Sequence, residues 1–312
     1  MSTAISTREA YGLALRELGA THAFYVLDAD LAKATFTDTF AQAFPDRFFD
    51  MGIAEANMMG TAAGMAAAGA TVFTSTFAMF AAGRAYEQLR NAIAYPKLNV
   101  KIGATHGGVL IGEDGASHQC VEDIALMRVL PNMNVLVPCD AESTRWAVQT
   151  ALETDGPFYL RFNRFATPSV YGRAAPLALG KASALRRGGD VALLAVGDMV
   201  CEALAAAELL ARHGIEATVA DMCSVKPLDA AFVAEIAGRV RWVLTAEDHS
   251  VIGGLGGAVA EAMAASGSGA KLLRMGLQDC FGCSGKRAEL AQRFGLHARA
   301  LADACLGAWE QA

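Results

Sequence analysis

The chain lacks the features that mark membrane, secreted and nucleic-acid-binding proteins. No apolar run reaches about 18 residues, so no segment is predicted to span a bilayer. The N-terminus, MSTAISTREAYG, has no basic start followed by an apolar core, which argues against a secretion signal and predicts a cytoplasmic protein. The formal charge is only −6, and no stripe of Lys and Arg could neutralise a phosphate backbone. Nucleic acid is therefore not an expected partner.

Metal-binding and dinucleotide-binding motifs are also missing. The seven cysteines, an odd number scattered along the chain, do not form a disulfide framework. Cys280 and Cys283 have C-x-x-C spacing, but no second pair or His-x-His partner completes a tetrahedral metal site. The glycines of GGLGG at 253–257 have the wrong spacing for G-x-G-x-x-G. We therefore expect neither a metal site in this chain nor a nicotinamide or flavin.

The composition and the pattern of the chain favour two α/β domains. With 312 residues, 54% of them apolar and 19% charged, the chain is long enough for two buried cores. Strand-like and helix-like segments alternate, which favours parallel strands with crossover helices. Proline, glycine and weak periodicity mark a boundary near residue 170. We predict a first domain over 1–170, a linker over 171–188 and a second domain over 189–312.

Glu55 is an isolated carboxylate at the start of a segment of small and apolar residues, AEANMMGTAAGMAAAG, which predicts a helix. In one interpretation it only stabilises the first helical turn, where the helix dipole favours negative charge. In the other, Gly60, Gly64 and Gly69 make a slim helix for a crowded interface. There a glutamate would be desolvated unless a partner group pairs with it.

Two further groups of residues suggest chemistry. Phe77 and Phe80 lie three residues apart and would share a helical face, either in a core or as a stacking platform for a flat heteroaromatic ring. His106, Asp114 and His118 lie within thirteen residues of the glycine-rich stretch ATHGGVLIGEDGASHQ. Two histidines and acids in such a loop favour hydrogen bonding and proton transfer over metal ligation.

In combination and in order, these stretches resemble the C-terminal half of transketolase. DMGIAEANMMGTAAGMA resembles the family's G-I-x-E segment, TSTFAMF its aromatic segment, and THGGVLIGEDGASHQ its T-H-x-G-E-D-G-x-x-H loop. EDHSVIGGLGGAVAE resembles its C-terminal signature. The resemblance covers nearly the whole chain. It implies a thiamine diphosphate pyrimidine-binding domain with a mostly parallel sheet, followed by the smaller transketolase C-terminal α/β domain.

The resemblance also implies a cofactor, thiamine diphosphate, and the residues that contact it. Glu55 matches the glutamate that hydrogen-bonds N1′ of the aminopyrimidine and favours the tautomer that activates the cofactor. Phe77 and Phe80 match residues that stack around this ring. Asp30, in DADLA, matches an acidic residue near the thiazolium.

Substrate-binding residues are implied in the same way. His118 matches a catalytic histidine that contacts the C1 and carbonyl region of the ketose, and Asp114 matches a ligand of the acceptor's C2 hydroxyl. A sugar phosphate would be bound by a cluster in which guanidinium groups suit a tetrahedral dianion. The residues of that cluster are Arg8, His106 and Arg164.

Two positions depart from the family pattern and leave the sugar open. Gly83 stands where the family often has a third aromatic residue, and Ala34 stands where it has a phosphate-binding serine, with Thr35 beside it. The acceptor could belong to the pentose phosphate pathway, to apulose phosphate metabolism or to sulfonated sugars.

The family's site for magnesium and diphosphate is not found in this sequence. That site needs G-D-G followed by an asparagine about 25 residues later, and VGDMV and GEDGA lack this context. The resemblance therefore implies a β-type subunit of a split transketolase. A separate N-terminal-half subunit would supply the Mg²⁺ ligands, in an α2β2 assembly.

Three alternatives stay open at this point. The β subunit of a 2-oxo acid dehydrogenase shares the fold and the glutamate, but His106 and E-D-G-x-x-H favour sugar substrates. Deoxyxylulose phosphate synthase shares more of the loop, but usually lacks a histidine at the position of His106 and is one long chain. A degenerate regulatory partner would not need to keep these four residues together: Glu55, His106, Asp114 and His118.

Overall fold

A computed structural model describes residues 4–172 and 177–310, and within them the chain forms two sheets flanked by helices. The strands are β1 (Tyr25–Asp28), β2 (Phe48–Asp50), β3 (Val72–Phe77), β4 (Val100–Thr105), β5 (Asn134–Leu136), β6 (Phe158–Arg161), β7 (Ser183–Arg186), β8 (Val191–Ala195), β9 (Ala217–Asp221), β10 (Ser224–Lys226), β11 (Trp242–Ser250) and β12 (Lys271–Leu277). These strands confirm the predicted mixed α/β class.

The helices lie between and around these strands. They are α1 (Thr7–Gly19), α2 (Ala32–Thr35), α3 (Asp38–Ala43), α4 (Glu55–Ala67), α5 (Tyr86–Gln88), α6 (Asp123–Val129), α7 (Ala141–Glu153), α8 (Met199–Ala211), α9 (Ala230–Ala237), α10 (Leu255–Ser266), α11 (Arg287–Phe294) and α12 (Ala298–Glu310). Short 3₁₀ and π-helical turns occupy Pro45–Arg47, Phe80–Arg84 and Leu89–Ala94.

The two sheets are mostly parallel, as predicted. The first has the order β10-β5-β6-β4-β3-β1-β2, and the second has the order β12-β11-β8-β9-β7. Within these orders, β10 pairs antiparallel with β5, and β7 pairs antiparallel with β9. Because β10 comes from the second half of the chain, it joins that half to the first sheet. The sequence pattern did not show this, since three residues are too few for a periodicity.

The segment predicted as a linker, 171–188, contains more structure than its composition indicated. Its residues 183–186 form β7, an edge strand of the second sheet, and residues 173–176 of the same segment lie outside the described residues. The strand sequence SALR is partly exposed and does not alternate clearly, so it has no strong strand signal. The division into domains at 170 and 189 stays a prediction.

Helices cover both faces of the sheets, and this places the loops that matter for function. Every residue of β3 and β4 is buried, which is typical of central parallel strands. The carboxyl ends of neighbouring parallel strands meet at one edge of a sheet, where ligands bind in open α/β folds. Phe77 ends β3 and Thr105 ends β4, so the segments that follow lie side by side.

In the part of the chain that the structure describes, no helix is both long and apolar enough to cross a bilayer.

Candidate active site

Glu55 is the first residue of α4, and its carboxylate is buried with 4% of the residue exposed. Its Oε1 accepts a hydrogen bond from Nη1 of Arg84 at 3.0 Å. The Arg84 side chain is 52% exposed, and its guanidinium lies 4.1 Å from the centroid of the Phe80 ring. The sequence did not single out Arg84, because only the π-helical turn after β3 brings it back over α4. An ion pair with one half-exposed partner holds the carboxylate weakly.

The Glu55 side chain opens on a cavity of about 220 Å³ at the ends of β1 and β3. Its lining residues are Ala29, Asp30, Leu31, Ile53, Glu55, Phe80 and Arg84. Asp30 is exposed, and its backbone N–H donates to Oδ1 of Asp50 at 3.1 Å. The structure therefore brings both predicted cofactor-side acids to one cavity. A larger cavity of about 310 Å³ lies elsewhere, between Glu122 and Phe281, and its lining contains no predicted site residue.

Phe77 and Phe80 form a stacked pair beside this cavity. Their ring centroids are 5.6 Å apart and their planes differ by 20°. The spacing predicted that the two rings share a helix face. They do not, because Phe77 ends β3 and Phe80 begins a π-helical turn. Close by, a Cβ added at Gly83 would lie 2.5 Å from Cε of Met79. The Met79 side chain therefore occupies space next to the position where a third aromatic residue was expected.

The segment of residues 106–118, here called the histidine loop, brings two imidazoles against the same phenyl rings. His106 is 2% exposed, and its ring centroid lies 3.8 Å from that of Phe77. The His118 ring meets Phe80 edge-on at 5.3 Å and Phe77 at 6.3 Å. The two histidines and the two phenylalanines therefore form one continuous aromatic group, and Phe80 lines the same cavity as Glu55.

The predicted phosphate-binding residues also come together. Arg8 donates from Nε to the carbonyl oxygen of Arg164 at 3.1 Å and from Nη1 to that of Ala34 at 2.8 Å. Arg164 donates from Nη1 to the Ile111 carbonyl at 2.7 Å and lies 3.0 Å from Oδ2 of Asp114. Burial, and then the neighbouring Arg164, lower the pKa of Arg8 from its usual value. Two cations held this close favour an anionic ligand.

Comparison with known proteins decides the family. The family model described as the pyrimidine-binding domain of transketolase matches residues 3–169, which is more than half of the chain. The model of the transketolase C-terminal domain matches residues 180–301. The chain belongs to the transketolase family. This confirms the resemblance that the motifs indicated.

Individual relatives agree with this family. A provisionally assigned transketolase C-terminal section of Methanocaldococcus jannaschii is 49% identical over 95% of this chain and 93% of its own length. The 6-deoxy-6-sulfo-D-fructose transketolase subunit SqwH of Clostridium sp. (strain MSTE9) is 43% identical over 89% and 86%, respectively. A solved structure described as a split-gene transketolase, inactive β4 tetramer, is 49% identical with a TM-score of 0.89, covering 97% of both chains. The chain spans about half the length of the animal transketolases it matches, 49% in each case.

The sequence departs from the transketolase pattern at Ala34, and the structure shows what the neighbouring hydroxyl of Thr35 binds. Thr35, next to Ala34, is buried, and its hydroxyl donates to Oδ2 of Asp28 at 2.7 Å. The same carboxylate accepts the Thr37 hydroxyl at 2.9 Å and the Leu31 N–H at 2.7 Å. Burial raises the pKa of Asp28 to about 6. The Thr35 hydroxyl is therefore buried and bonded to Asp28, so it does not take the place of the phosphate-binding serine of the family pattern.

His106 is held as a neutral imidazole. Arg8 can only donate, so Nε2 of His106 accepts its Nη1–H at 3.3 Å. Nδ1 then carries the proton and donates it to Oγ1 of Thr105 at 2.9 Å. Burial is the main cause that lowers the pKa of His106 to about 3, and the cations Arg8 and Arg164 lower it further. In this transketolase-family chain, His106 therefore acts as an uncharged hydrogen-bonding group.

We expect the His106 ring to show no titration between pH 8 and 5 when its NMR signal is followed in the folded chain. The unfolded chain protonates this ring near its ordinary pKa of about 6.5, while the folded chain does so only near 3. His106 therefore lowers the free energy of unfolding progressively as the pH falls between these values. The urea-unfolded chain is the control, and a midpoint near pH 6 in the folded chain would contradict the assignment.

Across residues 4–172 and 177–310, no group of three or more His, Cys, Asp or Glu side chains could hold a metal ion. Cys280 and Cys283, the C-x-x-C pair, are both free thiols.

Proposed function

We propose that this chain is the pyrimidine-binding subunit of a thiamine diphosphate-dependent transketolase. The enzyme would transfer a two-carbon ketol unit from a ketose phosphate to an aldose phosphate. The observation that carries the proposal is the placement of Phe80, which lines the Glu55 cavity and also contacts the His118 ring at 5.3 Å. One aromatic wall thus joins the residues expected at the cofactor to those expected at the sugar.

The residues around the cavity fit an aminopyrimidine. Among the described residues only Arg84 donates a hydrogen bond to the Glu55 carboxylate, and it does so to Oε1. Oε2 remains an acceptor for a ring N–H. The stacked Phe77 and Phe80 offer the apolar side that a flat heteroaromatic ring needs. Thiamine diphosphate, when bound, supplies the electron sink that stabilises a carbanion at the transferred carbon.

The chain's own residues would then orient the cofactor and the sugar. Glu55, shielded from water, forms a stronger hydrogen bond than an exposed carboxylate would. His118 would contact the C1 hydroxyl and the C2 carbonyl region of the ketose, since an imidazole can donate a hydrogen bond to either oxygen. Arg8 and Arg164 would grip the phosphate, with neutral His106 between the charged groups and the ring of Phe77. Asp114 would accept a hydrogen bond from the C2 hydroxyl of the acceptor sugar. This bond would replace part of its contact with Arg164.

The other half of the site would come from a separate subunit. The cavity beside Glu55, about 220 Å³, is below the roughly 300–1,000 Å³ of a complete small-molecule site. The chain also spans about half of the animal transketolases it matches. The split-gene relative, described as an inactive β4 tetramer, supports a subunit that needs a partner. We propose that this partner holds the diphosphate and Mg²⁺, in an α2β2 assembly.

Reconstitution tests the function and the split site together. We expect the purified chain alone to show no ketol transfer and only weak Mg²⁺-dependent binding of thiamine diphosphate. Addition of a subunit that carries G-D-G and the downstream asparagine should restore both. Tight magnesium-dependent binding to the chain alone would contradict the split site.

The substrate panel of the same assay separates the alternatives. Transfer from a ketose phosphate to an aldose phosphate supports the proposal. Decarboxylation of pyruvate without ketol transfer would instead favour a 2-oxo acid dehydrogenase or deoxyxylulose phosphate synthase. The panel includes a sulfonated ketose, because the Clostridium relative is described as a sulfofructose transketolase subunit.

A further inference from the structure

Asp248, far from the histidine loop in sequence, is bonded directly to that loop. It lies on β11 and is buried. Its Oδ1 accepts the backbone N–H of Val109 at 2.8 Å, and its Oδ2 accepts that of Leu110 at 3.0 Å. A buried carboxylate that accepts two N–H groups holds them more firmly than neutral acceptors do. The second half of the chain is thus hydrogen-bonded to the backbone of the loop that carries both histidines.

The backbone of the loop approaches the Asp248 carboxylate so closely that no side chain fits between them at Gly108. Gly108 has φ +89°, and a Cβ built on it would lie 2.0 Å from Oδ2 of Asp248. A Cβ on Gly107 would lie 2.6 Å from Nε of Arg161. Arg161 in turn donates from Nη2 to the backbone oxygen of Asp248 at 2.9 Å. The two glycines let the backbone sit directly on these two side chains.

Further ties from the second half reach the same loop. Gln119, just after the loop, donates from Nε2 to the carbonyl of Val109 at 3.1 Å and to that of Cys283 at 2.9 Å. The Ser284 hydroxyl donates to the carbonyl of Glu113 at 2.8 Å. These contacts reach the loop backbone and do not involve the imidazoles or the Asp114 carboxylate.

We propose that Asp248 is a positioning residue that fixes the backbone of the histidine loop, so that His106 and His118 stay against Phe77 and Phe80. This rests on the proposed function for its effect on catalysis. A displacement of about 1 Å in a group that orients substrate can cost about 10²-fold in rate. The second half of the chain would thereby act on the proposed site through the backbone of the histidine loop.

The first experiment measures the loop itself, in the chain as it exists, by hydrogen exchange and mass spectrometry. Asp248→Asn keeps the shape of the side chain but replaces one acceptor oxygen with an NH₂ group that faces a backbone N–H. We expect peptides covering residues 107–113 to exchange about tenfold faster or more. This readout does not depend on activity, so it decides the proposal even if ketol transfer is never observed.

Glu247→Gln is the matched control. Glu247 lies next to Asp248 on β11, is also buried, and its carboxylate accepts two backbone N–H groups, those of Leu255 and Gly256, both at 2.7 Å. Those amides begin α10 rather than the histidine loop. The control should therefore speed exchange at the start of α10 and leave residues 107–113 unchanged. If residues 107–113 exchanged equally fast in Asp248→Asn and in Glu247→Gln, the proposal would be overturned.

The second experiment measures function in the reconstituted pair. Asp248→Asn should lower kcat/KM for ketol transfer about 10- to 100-fold, while the dissociation constant of thiamine diphosphate changes less than about twofold. If Asp248→Asn does not fold, Gly108→Ala displaces the loop from an intact carboxylate and should give the same faster exchange. Unchanged exchange at 107–113 in a folded variant would refute the positioning role.

Discussion

Glu55→Gln is expected to lower the rate of ketol transfer by the reconstituted pair at least about 10²–10³-fold without unfolding the chain. The carboxylate is buried, and its free oxygen can accept an N–H from the aminopyrimidine. Glutamine keeps the shape but removes the charge, so the proposed hydrogen bond to the aminopyrimidine would be weakened. The measurement is kcat at saturating thiamine diphosphate and sugar, with circular dichroism to verify folding.

The matched control for Glu55 is Glu142→Gln. Glu142 also lies in the first turn of a helix, α7, so it reproduces any favourable interaction with the helix dipole. We expect the control to change turnover by less than about twofold. The Glu55 variant should also lose little stability, about 1 kcal/mol or less, because its partner Arg84 is half exposed. Near-normal turnover of Glu55→Gln would refute the assigned role.

Asp123→Ala is expected to cost about 3–5 kcal/mol in the free energy of unfolding. Both side chains of the Asp123 and Arg161 ion pair are buried, and Nε of Arg161 lies 2.8 Å from Oδ2 and 3.1 Å from Oδ1. The hydroxyl of Tyr159 also donates to Oδ2 at 2.9 Å. Removing the carboxylate leaves a buried guanidinium without the acidic group to which it is hydrogen-bonded. Urea unfolding followed by circular dichroism measures the loss.

Two further variants separate the buried charge from general damage. Glu17→Ala breaks a pair with Arg145 in which both side chains are about half exposed, and it should cost no more than about 1 kcal/mol. The double variant Asp123→Ala, Arg161→Met removes both charges and should be more stable than Asp123→Ala alone. A double variant that is less stable than the single one would contradict this explanation.

Local pattern predicted much of this molecule. The helix that begins at Glu55 and the strands that end at Phe77 and Thr105 follow from runs of apolar and small residues. The order of the motifs predicted the family, which comparison confirmed. The edge strand β7 and the short strand β10 were missed, because each is held by pairing with a strand that is distant along the chain, β9 and β5 respectively. The aromatic pair was predicted, but its geometry was not, because a π-helical turn rather than a regular helix carries Phe80.

The sequence by itself determined the α/β class, the family and the residues that could carry chemistry, because these depend on residue type and spacing. The tertiary structure alone decided the state of those residues. It paired Glu55 with Arg84, committed Thr35 to Asp28, and buried His106 among cations so that it stays neutral. It also tied the histidine loop to Asp248. Burial, charge proximity and backbone hydrogen bonds depend on segments that are distant along the chain, so no local pattern contains them.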